Sequence, residues 1–148
     1  MIKAYYLLAT VIIISACSPV LLTRDMTDAQ AYKLYRHAQQ QSNEYFLSYN
    51  PDSTYVICTV NDSSQLVMQP ITFLVVNLQD REKTLVSINE YHKTQWLDNS
   101  DILLVRYSGI ANFDRSLKSR SMDNRIEYIF NVQTKELLPK PKADQEKF

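Results

Sequence analysis

Glycine is almost missing from this chain: Gly109 is the only one in 148 residues. A glycine-rich phosphate loop cannot be built from such a sequence. Few backbone positions can enter the left-handed region at low cost. Histidine occurs twice, at His37 and His92, and the separation gives no ligand spacing such as His-x-x-x-His. Trp96 is the single tryptophan, and the two cysteines are Cys17 and Cys58. Neither sign of charge is in excess, with 16 basic and 16 acidic residues, so no electrostatic footprint points to nucleic acid or to a strongly anionic membrane surface. No serine stands in Gly-x-Ser-x-Gly, and no Ser-x-x-Lys stands with its partner motifs. The composition therefore sets an expectation of no cofactor, no metal site and no catalytic residue.

What is present begins at the amino terminus. Lys3 precedes an apolar run, Ala4 to Ile14, which ends in Ile14-Ser15-Ala16-Cys17 and is followed by Ser18-Pro19. A membrane-crossing helix needs roughly 20 apolar residues. This run is shorter and contains Thr10, as the core of a cleavable signal peptide does. Aliphatic, small, small, Cys is the order of a lipobox, and over residues 1–18 the chain resembles bacterial lipoproteins. The resemblance implies that residues 1–16 are a signal peptide and that the Cys17 thiol carries diacylglycerol. It further implies cleavage before Cys17 and acylation of the new amino terminus, with palmitate-like chains holding the protein to a lipid bilayer. Each buried methylene contributes about 0.8 kcal/mol, so two or three chains anchor firmly. Ser18 is not the Asp that retains such proteins in the inner membrane, and no acidic cluster follows Cys17. The expected location is the bacterial cell envelope, at the outer membrane and facing the periplasm. Lipidation consumes the Cys17 thiol and leaves Cys58 alone in Tyr55-Val56-Ile57-Cys58-Thr59-Val60, where it reads as a small apolar core residue.

Taking the 16 leader residues from 148 leaves 132, enough for one core. Residues 17–26 read as a lipidated tether, 27–138 as one globular β-rich domain and 139–148 as a flexible tail. Thr27-Asp28-Ala29-Gln30 fits a capping box. Ala31, Leu34, Tyr35, Ala38 and Ser42 then recur at helical spacing, which predicts a helix over 28–42. Asn50-Pro51-Asp52-Ser53 is a turn, because Pro presets φ and Asn and Asp bond their own backbone. Strands are expected over 45–49, 54–60, 71–78, 83–90, 101–107 and 125–132, with a short one over 136–138. The run at 71–78 is nearly continuous apolar, as in a strand covered on both faces, with the helix as one cover. The fold class is α+β: an N-terminal helix followed by a predominantly antiparallel β-sheet meander. Asn50-Pro51-Asp52-Ser53 and Trp96-Leu97-Asp98-Asn99 resemble phrases of periplasmic β-propeller blades, although the chain is too short for a closed propeller of at least four blades.

Asp98 and Asp101 are near enough to pair for acid–base work or cation binding, and are equally what turns use. The stretch 109–124, between two expected strands, is the longest without a period, and loops of this length are often functional or disordered. Arg115, Lys118 and Arg120 within it, with Arg125 just after, form a candidate partner- or anion-binding site. These features favour a non-enzymatic binding or assembly module in the envelope, with an envelope protein as partner. An immunity or inhibitor lipoprotein that blocks a toxin or hydrolase is the alternative, and a small periplasmic enzyme the third.

Overall fold

The computed structural model describes residues 22–60, 69–107 and 125–141. Helix α1 (Asp28–Ala38) starts where the capping box places it. The Thr27 hydroxyl accepts from the Gln30 N–H at 3.3 Å, and the Gln30 side-chain oxygen accepts from the Thr27 N–H at 2.7 Å. The helix buries Ala31, Leu34, Tyr35 and Ala38 and stops short of the expected Ser42. Gln39, Gln40 and Gln41 supply nothing to bury, and their N–H groups close the last turn on Tyr35 and His37 carbonyls.

The remainder is antiparallel sheet. Strands β1 (Tyr45–Tyr49), β2 (Tyr55–Val60), β3 (Ile71–Asn77) and β4 (Glu82–Tyr91) form one sheet in that order. Strands β5 (Lys93–Trp96), β6 (Asp101–Tyr107), β7 (Arg125–Asn131) and β8 (Leu137–Pro139) form a second. The expected meander is thus two meanders, divided at His92. Tyr91 still pairs with Ile71 of the first sheet, whereas Lys93 pairs with Val105 of the second. The His92 N–H donates to the Val105 carbonyl at 2.7 Å, so a single residue turns the chain from one sheet to the other.

Side-chain alternation assigns the faces. Val56, Cys58, Leu74 and Val76 pack against Met26, Ala31, Leu34 and Tyr35 of the helical layer. The opposite face of that sheet, with Ile57, Phe73 and Val75, meets Ile102, Leu104, Phe130 and Val132 of the second. The layers are therefore helix, sheet, sheet, and β3 is covered on both faces as its apolar run requires. Leu34 is fully buried, and truncating such a residue to Ala costs about 2–5 kcal/mol.

The two sheets repeat one plan. Tyr55 pairs with Asn77 and Asp101 with Asn131. Leu78 N–H donates to the Thr54 carbonyl and Val132 N–H to the Ser100 carbonyl, both at 2.8 Å. Asn77 Oδ1 accepts from the N–H groups of Gln79 and Asp80, as Asn131 Oδ1 does from Gln133 and Thr134. Each of these turns then puts a bulky residue in the left-handed region, Arg81 (φ 56°) and Lys135 (φ 60°), where a glycine-rich chain would place Gly. The sheets also face the same way. The face of the second sheet that carries Ile102 and Leu104 corresponds to the face of the first that carries Val56 and Cys58.

The four described hairpin turns gather at one end. Asn50 Nδ2 donates to the Asn99 carbonyl at 2.7 Å, and Lys135 Nζ lies 3.4 Å from Glu82 Oε1. Trp96 Nε1 donates to the Ser48 carbonyl at 3.0 Å, which bonds the second sheet to strand β1 at the edge of the first. The opposite end holds the His92 junction, the close of β6 and the start of β7. The segment before the helix belongs to the packed body: Leu22 lies on the helical core cluster and Met26 is 2% exposed. Arg24 pairs with Glu90 near the end of β4, and Lys83 Nζ donates to the Met26 carbonyl.

Candidate functional site

Cys17 lies outside the described residues, as do Arg115, Lys118 and Arg120. Arg125 is described, at the first position of β7, exposed and ion-paired with Glu127. Lys140 Nζ reaches the other oxygen of Glu127 at 2.8 Å. The two cations hold the Glu127 carboxyl below its ordinary value, the Lys140 hydrogen bond being the largest cause. Lys93 and Arg106 stand at the same end of the second sheet, both exposed. Lys93 is opposite Val105, Arg106 opposite Ile126 and Arg125 opposite Tyr107. Sheet register thus brings together four cations and one acid, of which sequence reasoning had singled out only Arg125. The other three are far apart in the chain, and only strand pairing unites them.

The remaining candidates resolve into structural roles. Asp98 Oδ1 accepts from the N–H groups of Ser100 and Asp101, each at 2.7 Å. These bonds hold its carboxyl below the ordinary range. Asp101 Oδ1 accepts from Asn131 Nδ2 at 2.7 Å, so this aspartate fastens β6 to β7 instead of joining Asp98 in a site. Asp52 does in the first sheet what Asp98 does in the second, accepting from the Thr54 N–H at 3.1 Å and hydroxyl at 2.6 Å. His37 stands edge-on to Tyr45, and His92 edge-on to Tyr107 with ring centroids 5.1 Å apart. His92 Nδ1 accepts from the Tyr107 N–H at 3.3 Å. Cys58 is buried and unpaired, and burial pushes its thiol up to about 12, which suppresses the nucleophilic thiolate.

Among the described residues, no group of three His, Cys, Asp or Glu side chains could hold a metal ion. No described helix is long and apolar enough to cross a membrane. The surface that stands out is the outer face of the second sheet, on which no described element packs. Leu103 and Ile129 lie opposite one another there, and Leu138 is opposite Ile129. Leu138 is 60% exposed, whereas its counterpart in the first sheet, Leu85, is packed between the sheets. No family model, no curated protein and no solved structure matches this chain.

Proposed function

We propose that this protein is a lipid-anchored component of a bacterial cell envelope that acts by binding another envelope protein, without catalysis. The observation that carries the reading is Ile14-Ser15-Ala16-Cys17 at the close of a short apolar run, set a few residues before Leu22, which is packed on the domain. The anchor places the domain at the outer membrane, facing the periplasm. The outer face of the second sheet offers the partner Leu138, 60% exposed, beside half-buried Ile129.

Mass spectrometry of the mature amino-terminal peptide tests the anchor. A diacylglyceryl and N-acyl adduct on Cys17 is the expected result, and Cys17→Ala should leave the precursor unprocessed. Unchanged processing and membrane retention of that variant would refute lipidation. Capture of one envelope protein by the wild-type chain, lost on Leu138→Glu, tests the contact face. Capture that ignores this substitution removes the face from the proposal.

A further inference from the structure

We infer that His92 is a pH-sensitive latch at the join of the two sheets, closed while its imidazole is neutral and released when the ring takes up a proton. The inference goes beyond the binding role proposed above and does not depend on the anchor.

The latch arises from the way the chain changes sheets. Lys93 pairs with Val105, so in an unbroken ladder the Tyr107 N–H would find its acceptor on residue 91. Tyr91 is instead paired with Ile71 of the first sheet, and the last N–H of β6 on that side has no strand to bond. The His92 side chain takes the vacant place, Nδ1 accepting from the Tyr107 N–H at 3.3 Å. The imidazole stands edge-on to the Tyr107 ring, centroids 5.1 Å apart, which keeps it beside this N–H. Only the neutral ring with its proton on Nε2 can serve, because imidazolium donates from both nitrogens and accepts at neither. Turning the protonated ring over does not restore an acceptor. The backbone bond from the His92 N–H to the Val105 carbonyl, 2.7 Å, has no titrating atom. Release is therefore confined to the close of β6.

The surroundings set the direction of the switch. Among the described residues, β6 brings Arg106 and Tyr107 to the junction, β5 brings Lys93, and β4 ends in Glu90 and Tyr91. Strand β7 sets Arg125 opposite Tyr107 and Glu127 opposite Val105. Both acids are engaged elsewhere, Glu90 by Arg24 and the Ser87 hydroxyl, Glu127 by Arg125 and Lys140. Burial first, and then Arg106, hold the imidazole below its ordinary 6.5. A histidine held low keeps its folded-state contact above the ordinary value and loses it as pH falls through the folded one. The latch is thus closed at neutral pH and opens in acid.

The experiment is an NMR titration of the full chain in neutral detergent micelles, from neutral pH into acid. The His92 ring-nitrogen shifts should show the Nε2–H form at neutral pH. The Tyr107 amide shift should follow the His92 titration with the same midpoint. Its protection from hydrogen exchange, corrected for the intrinsic rate, should fall about tenfold, the worth of roughly one hydrogen bond. Buried Leu104, in the middle of β6, should keep its protection. His92→Gln carries no titrating ring and should abolish the pH dependence at Tyr107. A Tyr107 amide that ignores the His92 titration overturns the latch. So does an equal loss of protection at Leu104, which would mean that the domain opens as a whole, and so does a pH dependence that survives in the variant. The wild-type titration decides the matter even where the variant folds poorly. None of these readouts depends on acylation of Cys17 or on capture of a partner, so failure of the latch and failure of the proposed function are told apart.

Discussion

Asn50 is the most exacting place to test how the two sheets are joined. It is 2% exposed and polar, and each of its side-chain atoms is used. Oδ1 accepts from the Tyr55 N–H at 2.9 Å, while Nδ2 donates to Thr54 Oγ1 at 3.1 Å and to the Asn99 carbonyl at 2.7 Å. One side chain therefore shapes the β1–β2 turn and ties it to the β5–β6 turn. Asn50→Ala leaves the Tyr55 N–H without its acceptor, at about 1–3 kcal/mol, and removes two further bonds at about 0.5–1.5 kcal/mol each. Thr54 keeps Asp52 as a partner, and the exposed Asn99 carbonyl can turn to water. The expected loss is therefore about 3 kcal/mol, a large part of the roughly 5–15 kcal/mol that holds a domain. Urea unfolding followed by Trp96 fluorescence reads it directly, because this single tryptophan sits at the joint. With a slope of about 1–3 kcal/mol per molar, the midpoint should fall by about 1.5 M.

Asn50→Asp sharpens the test. It keeps the acceptor and the shape but aims a carboxylate at the Asn99 carbonyl. Burial and that carbonyl favour the protonated form, which raises the folded-state pKa above the unfolded one. The carboxyl's contribution to stability is then present at low pH and lost as pH rises through the folded value. The variant should lie close to wild type in acid and fall away toward neutrality. A midpoint shift worth less than about 1 kcal/mol for Asn50→Ala, or an Asp variant that tracks wild type at every pH, would refute the reasoning.

Three further outcomes follow from the joint and the core. The Thr94 hydroxyl is buried without a hydrogen-bond partner, so isosteric Thr94→Val should raise the urea midpoint by an amount worth about 1 kcal/mol, and a loss would mean that the hydroxyl is satisfied. Burial, then Arg106, holds the His92 imidazole below its ordinary 6.5. Its contribution to stability is thus complete above that value and lost as pH falls through the folded one, and His92→Gln should flatten the fall in midpoint as the pH drops below the ordinary value. Cys58, with its thiol pushed up to about 12, should resist a thiol reagent in the folded protein and react at once in urea; rapid labelling without denaturant would contradict its burial.

The helix start and most strands were legible in the sequence because short-range chemistry sets them. Thr27 and Gln30 announce the cap, the β-branched runs announce β2 and β3, and the alternation of Tyr128, Phe130 and Val132 announces the inward face of β7. The division into two sheets was not legible. It falls at His92 between Tyr91 and Lys93, and the lone Asn89 before it stands inside an otherwise strand-like run. The backbone bends at His92, three residues after the left-handed Asn89 (φ 54°), and on either side of the bend the chain has a different partner. The repeat was half visible: the two turn phrases at Asn50 and Trp96 occupy equivalent places, but Asn77-x-Gln79 to Glu82 and Asn131-x-Gln133 to Glu136 carry the plainer match. The tether expected over 17–26 read as solvent-borne because Leu22 and Met26 are isolated apolar residues without a period; the helical layer and the first sheet absorb them. Of the cationic site, only Arg125 was legible, since Lys93, Arg106 and Lys140 meet through strand register alone.

The same-way facing of the two sheets gives the stack a direction. Each sheet buries its first face on the layer before it and turns its second face to the layer after it, and helix α1 takes the place of a preceding sheet. Such a pile has a closed beginning and an extensible end. Leu138, 60% exposed on the second face of the second sheet, marks the side on which such a pile would be extended. The architecture is a short array with a built-in direction of growth, and its length could be set by how many units the gene encodes.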